Sequence, residues 1–389
     1  MYLLSENIIW EKRWREMGEK REVKDIHSMG FFDLAKGLGM IIIILGHSYN
    51  MAFAEPGVHP AMAEGRSVIF GKAVPLLSGA GSVLGAGVVA MFFMISGYSF
   101  FKRKPKKCLS MQTKLLLKPY AVTGSAVIVS KLIISLLRRR SFLEHGAAFI
   151  PTYLFGTSLD SGGKIFGLPA ESISILWFIL SLFEVWVTYN LIVRIKSART
   201  RHILVVCSVI AGYFMSLAPF AWPFMLPQSM VVLGYFHVGH LCREHKVFER
   251  KLPQWLPILA GSVASFCLLF GSVNIAYSYW GLGLVEVAGT IALGFLLMLG
   301  YVKKLGTVPD TKLTSFISAV GFSSIWIVCI HGYEMCVFPW YILIGLLMPH
   351  KFLAFLVVAI LRSVMIWCVY MAIMWVRKKT QRKKKIVLE

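Results

Sequence analysis

The sequence predicts an all-α membrane protein, a polytopic bundle of about ten transmembrane helices with both termini in the cytoplasm. Three observations predict it. Of 389 residues, 57% are hydrophobic and 15% charged, against about 25% charged in soluble domains. The apolar residues arrive in long runs, each near the roughly 20 residues that a spanning helix needs. The basic excess, a formal net charge of +22, is divided into short clusters between those runs. That is the pattern of the positive-inside rule and not of a nucleic-acid-binding face.

The runs fall, in order, at about 31–50, 81–101, 117–137, 173–193, 202–219, 223–242, 254–272, 281–301, 316–338 and 352–376. The ninth carries a tail, MCVFPWYILIGLLMP, that either extends its helix or forms a short re-entrant piece. The N-terminal stretch, KRKPKK (102–107), RIKSARTR (194–201), REHKVFERK (243–251), VKK (302–304) and RKKTQRKKK (377–385) are rich in Lys and Arg. With ten helices all of them fall on one side, which places both ends in the cytoplasm. Arg138, Arg139 and Arg140 are the exception; loop charge bias is statistical, and the triplet reads as ordinary scatter in it. Residues 1–30 then form a basic cytoplasmic segment, 31–376 the transmembrane domain, and 377–389 a basic cytoplasmic tail.

Smaller features complete the organisation. The external piece AAFIPTYLF (147–155) is too short to span and contains a proline, so it belongs at the interface or lines a cavity. The seven cysteines lie mostly in apolar runs, without paired loop spacing, and read as reduced core residues. The polar N-terminus predicts no cleaved signal peptide. There is no internal repeat.

Ionisable groups inside apolar runs are costly and mark function. The first run contains Asp33, Lys36 and His47. At about 100° per residue and a rise of about 1.5 Å, Lys36 and His47 lie about 20° apart in azimuth and about 16 Å apart in depth. Asp33 is one turn before Lys36 and pairs with it at i,i+3. All three face one groove. Lys36 can snorkel to the cytoplasmic surface, whereas His47 sits too deep. A neutral imidazole there is a candidate general base, against the plainer reading of an ion pair and a helix-bridging hydrogen bonder. WIVCIHGYEMC (326–336) sets His331 and Glu334 one turn apart, a carboxylate able to orient a histidine. Arg362 has no partner in its own run, so Glu286 or Glu334 is its expected structural counter-ion. Lys131, Glu184, His237 and His240 add to the polar interior. His237 and His240 have metal-like i,i+3 spacing, but no complete ligand set is evident, so they read as a polar helix end and no metal is expected. Gly97, in MISGY, permits close helix approach.

These pieces resemble the acyltransferase 3 family of bacterial membrane proteins. The match is carried by DLAKG and GH around Asp33, Lys36 and His47, MFFMISGY at 91–98, the basic run leading into KPY (118–120), LWFILSLF at 176–183 and IHGY at 330–333. Order and spacing agree over nearly the whole chain. The family's first-helix signature is a basic residue, ten intervening positions and histidine, here Lys36 to His47. Lysine in place of the commoner arginine is similar to the subgroup named after fucose 4-O-acetylase. The resemblance implies about ten helices in the bacterial cell membrane and transfer of an acyl group, usually acetyl, from cytoplasmic acyl-CoA to a surface carbohydrate. Acetyl-CoA is then a donor substrate, and no bound cofactor is implied. Asp33, Lys36 and His47 are the catalytic candidates. The donor side takes Lys36, Ser96, Tyr98, Lys102 and Arg103; the acceptor side takes Trp177, Phe178, His331 and Glu334. A transporter of lipid-linked sugar or small solute is the alternative that intramembrane charges also fit, though it does not require the Lys36–His47 pair.

Overall fold

A computed structural model gives the fold. It describes residues 26, 30–53, 79–139, 147–157, 164–218, 222–306, 308 and 311–388, with side chains to 376. The basic N-terminal segment, apart from residues 26 and 30, lies outside the described residues, as do Arg140 and the side chains of the basic tail.

The helices are α1 Asp33–Phe53, α2 Ala80–Tyr98, α3 Pro105–Gln112, α4 Lys118–Leu137, α5 Phe149–Phe155, α6 Trp177–Ile192, α7 Ala198–Ser216, α8 Leu226–Glu244, α9 Trp255–Phe270, α10 Leu284–Gly300, α11 Lys312–Phe322, α12 Ser324–Val337, α13 Trp340–Leu347 and α14 Lys351–Leu388. Two antiparallel two-residue hairpins, Lys164–Ile165 with Leu168–Pro169 and Val273–Asn274 with Tyr279–Trp280, are the strands among the described residues. The fold is an all-α polytopic membrane bundle.

Every predicted run is helical. Five helices are long and apolar enough to cross a membrane, or six with the bent α11–α12 pair. The others are more polar or shorter: α1 carries Asp33, Lys36 and His47, α7 opens on ARTRH, α8 holds two histidines, and α9 has 16 residues. One run departs from expectation. The ninth is not a single helix: α11 and α12 meet at Ser323 with a bend of 74°. Beyond Val337 its tail does not extend α12 but forms the separate short helix α13, entered through Pro339. The third run starts earlier than its apolar residues do. It continues back through a π-turn at Thr113–Leu117 into α3, a 33-residue helical unit. At about 1.5 Å per residue this exceeds the roughly 30 Å hydrocarbon core, and the excess is the lysine-bearing α3.

Small residues bring helices into backbone contact, the usual source of association where lipid removes the hydrophobic drive. A Cβ on Gly97 would lie 1.9 Å from the Phe236 carbonyl oxygen, and one on Gly239 2.0 Å from that of Met94. These two glycines allow α2 and α8 to approach closely towards their C-terminal ends. The second close crossing joins α1 to α11 through Gly37 and Gly321. The short piece α5 docks on α4: Tyr120 donates to the Tyr153 carbonyl at 2.8 Å, and Tyr153 to that of Ala121 at 3.0 Å.

Several basic connectors share one end of the bundle. The Arg103 amide donates to Asn190 at 2.9 Å, and the Arg194 guanidinium donates to the Arg103 carbonyl. Arg243 reaches the Tyr98 carbonyl at 3.2 Å. Phe248 meets the rings of Tyr98 and Phe295, and the Tyr301 hydroxyl donates to the Phe31 carbonyl at 2.5 Å. The connectors near 102, 194, 243 and 302 thus gather around the start of α1.

Candidate active site

The helical rise of α1 separates two groups of candidate residues. At its start Lys36 Nζ lies 2.9 Å from Asp33 Oδ1, with Asp33 buried and Lys36 partly exposed. Tyr98 stacks edge-on against Phe32, at 5.3 Å between ring centres, one residue before Asp33. Ser96 is half-buried, Lys102 exposed, and Arg103 held by its backbone to α6. Ser96, Tyr98, Lys102 and Arg103 therefore sit at the basic end with Lys36.

The second group lies about three turns further along α1, roughly 16 Å from Lys36. The half-buried ring of His47 meets that of His331, with centroids 5.4 Å apart. His331 is fully buried, and its Nδ1 lies 2.7 Å from Glu334 Oε1. Arg362, on α14 and also fully buried, donates to the same oxygen from Nε at 2.9 Å and from Nη2 at 2.6 Å. Its Nη1 donates to Ser48 Oγ at 3.0 Å, and Ser48 donates in turn to the Ile44 carbonyl at 2.8 Å. The Trp340 indole, at the start of α13, donates to Glu334 Oε2. A buried carboxylate and guanidinium compensate one another when both are fully hydrogen-bonded, and here the pair ties α1, α12, α13 and α14 together.

The predicted pairing of Arg362 is thus with Glu334. Glu286 instead accepts the Leu282 amide at 3.0 Å, at the start of α10. Trp177 is buried in the core, and Phe178 packs edge-on against Phe93 at 5.0 Å and Phe92 at 5.9 Å. The turn preceding them rests on α12: a Cβ on Gly332 would lie 2.9 Å from Leu176 Cδ2. The turn just before them therefore adjoins the helix that carries His331 and Glu334.

Sequence reading missed two members of this network, and the reach of a third to α1. Ser48 gave no signal beyond following His47. Trp340 lies in a tail with no periodicity to assign it. Arg362 was visible as a lone charge, but its distance from α1 was not. A further polar chain lies at the basic end, where Tyr189 meets Nδ1 of His237 at 2.7 Å and Nδ1 of His240 at 2.9 Å, and His202 meets His237 at 2.9 Å. His237 and His240 thus form a hydrogen-bonded polar chain towards the end of α8.

A multi-pass membrane bundle enclosing paired histidines, a buried carboxylate and an arginine defines a class of intramembrane enzyme. Residues 29–375 match the family model for acyltransferase 3, described as an acyltransferase domain, and the chain belongs to that family. It is an acyltransferase. Comparison with curated proteins found no match, and comparison with solved structures found none either.

Proposed function

We propose that the protein is an O-acyltransferase of the bacterial cell membrane, moving acetyl from cytoplasmic acetyl-CoA to a hydroxyl of a cell-surface carbohydrate. The observation that carries this reading is the position of His47 in the acyltransferase domain, beside the buried His331–Glu334–Arg362 network. The gathered basic connectors mark the cytoplasmic end by the positive-inside rule. They also offer charge to the phosphates of coenzyme A. Lys36, held by Asp33, stands at that mouth with Tyr98, Ser96, Lys102 and Arg103 to receive the donor. His47 and His331 lie towards the opposite end, where an acceptor arrives.

In the transfer the hydroxyl oxygen bonds to the thioester carbon, the carbon–sulfur bond breaks, and coenzyme A leaves as thiolate. An imidazole takes the hydroxyl proton or carries the acyl group transiently, and His47 is the residue that the first-helix signature marks for this. Trp177 and Phe178, with Glu334 and His331, form the side from which a sugar is held.

The test uses membranes carrying wild type or His47→Ala at matched expression, supplied with radiolabelled acetyl-CoA. Label is expected in the glycan fraction with wild type and not with the variant. Equal labelling of both would make His47 a packing residue. No labelling by wild type would overturn the choice of donor or acceptor.

A further inference from the structure

The two histidines of the site are not held alike. No hydrogen bond orients His47 among the described residues; it meets the network through its ring contact with His331. His331 is held by a carboxylate. A neutral imidazole has one donor and one acceptor nitrogen, and a carboxylate can only accept, so Glu334 at 2.7 Å selects the Nδ1–H tautomer. Arg362 Nη2 also lies 3.2 Å from that nitrogen, and one of its two N–H groups is directed to Glu334 Oε1 at 2.6 Å. The other does not displace the Nδ1 proton, because without that proton the lone pairs of nitrogen and carboxylate oxygen would face each other at 2.7 Å. The lone pair of His331 is therefore on Nε2, and that atom is buried without a hydrogen-bond partner among the described residues. A buried polar atom left unpaired is costly and calls for a reason.

We propose that His331 is a catalytic residue of the transfer, its Nε2 being the atom that takes the proton of the acceptor hydroxyl, with Glu334 and Arg362 as its positioning residues. This rests on the acyltransferase reading above and gives the proton transfer to His331 in place of His47, the residue that the first-helix signature marks. Glu334 fixes the tautomer and ring orientation, the role of the carboxylate behind a catalytic histidine. Arg362 holds Glu334 by two N–H groups and holds Ser48, so it sets α12 against α1 at His47. The neighbour of His331 on α1 is the half-exposed His47, so the hydroxyl approaches past His47. As the hydroxyl oxygen bonds to the acyl carbon, its proton passes to Nε2. The carbon–sulfur bond breaks, and the imidazolium then returns the proton to the coenzyme A thiolate. Neither an oxidant nor a metal enters the balance.

The experiment is the radiolabelled acetyl-CoA assay, run on wild type, His47→Ala, His331→Ala, His331→Gln and Glu334→Gln at matched folded amounts, with and without added imidazole. His331→Ala is expected to lose about 100-fold or more in rate, the range of a general base, and to recover in part with imidazole. Glu334→Gln keeps the shape but not the charge; kcat is expected to fall while the KM for acetyl-CoA holds, without rescue by imidazole. If the alanine variant does not fold, His331→Gln, whose amide still donates to Glu334, is expected to be folded and inactive. A folded His331 variant working within about threefold of wild type overturns the proposal. So does imidazole rescue of His47→Ala together with failure to rescue His331→Ala. A wild type that transfers no label overturns the acetyl-CoA-to-glycan reading on which the proposal rests, and the proposal with it.

Discussion

Replacing Gly321 by alanine should force α1 and α11 apart. The added Cβ would lie 1.7 Å from the Asp33 carbonyl oxygen and 2.6 Å from the Gly37 amide nitrogen. Carbon and carbonyl oxygen meet at roughly 3.3 Å, so the backbones must separate by about 1.6 Å. Both clashing atoms are backbone, so no side chain can rotate away. Overpacking costs about 1–3 kcal/mol, and here the displacement points to the upper part of that range. The better helix propensity of alanine returns at most about 1 kcal/mol. A net loss near 2 kcal/mol corresponds to a fall of roughly 2–3 °C in a chain of this size. The assay is thermal unfolding in detergent, followed by tryptophan fluorescence. Gly46→Ala, also bearing on α1, is the control, because a Cβ there meets nothing within 4 Å. Equal midpoints for Gly321→Ala and Gly46→Ala would refute the close crossing.

Three further outcomes follow from the same structure. Arg362→Met should cost about 3–5 kcal/mol by stranding the Glu334 carboxylate, and adding Glu334→Gln should recover part of that loss; strictly additive losses in unfolding midpoint would show that the pair is not coupled. The partly exposed Lys131–Glu171 pair should contribute under about 1 kcal/mol, so Lys131→Met should leave the midpoint nearly unmoved, and a large drop would contradict that. Single cysteines replacing exposed Lys106 or Lys303, in a background without native cysteines, should react with an impermeant thiol reagent only after cell lysis, whereas one replacing Arg138 should react in intact cells; labelling of all three from outside would reverse or break the assigned topology.

What the sequence determined by itself is one-dimensional. Run length and composition yield the helices, because backbone polar groups in hydrocarbon must be satisfied within each segment. The alternation of basic clusters yields a common end for the connectors. Periodicity along α1 is enough to place Asp33 against Lys36, and the single turn between His331 and Glu334 is enough to pair them. The break at Ser323 was not legible, because α11 and α12 are both apolar and no proline separates them. What only tertiary structure decided is which faces meet. The Gly37–Gly321 and Gly97–Gly239 crossings depend on backbones that approach from distant parts of the chain. Arg362 lies 314 positions from Ser48 and 28 from Glu334, distances over which helical periodicity carries no information. The active-site network exists because packing sets four helices at one depth, where a buried carboxylate, an arginine and an imidazole satisfy one another and leave His331 Nε2 over among the described residues.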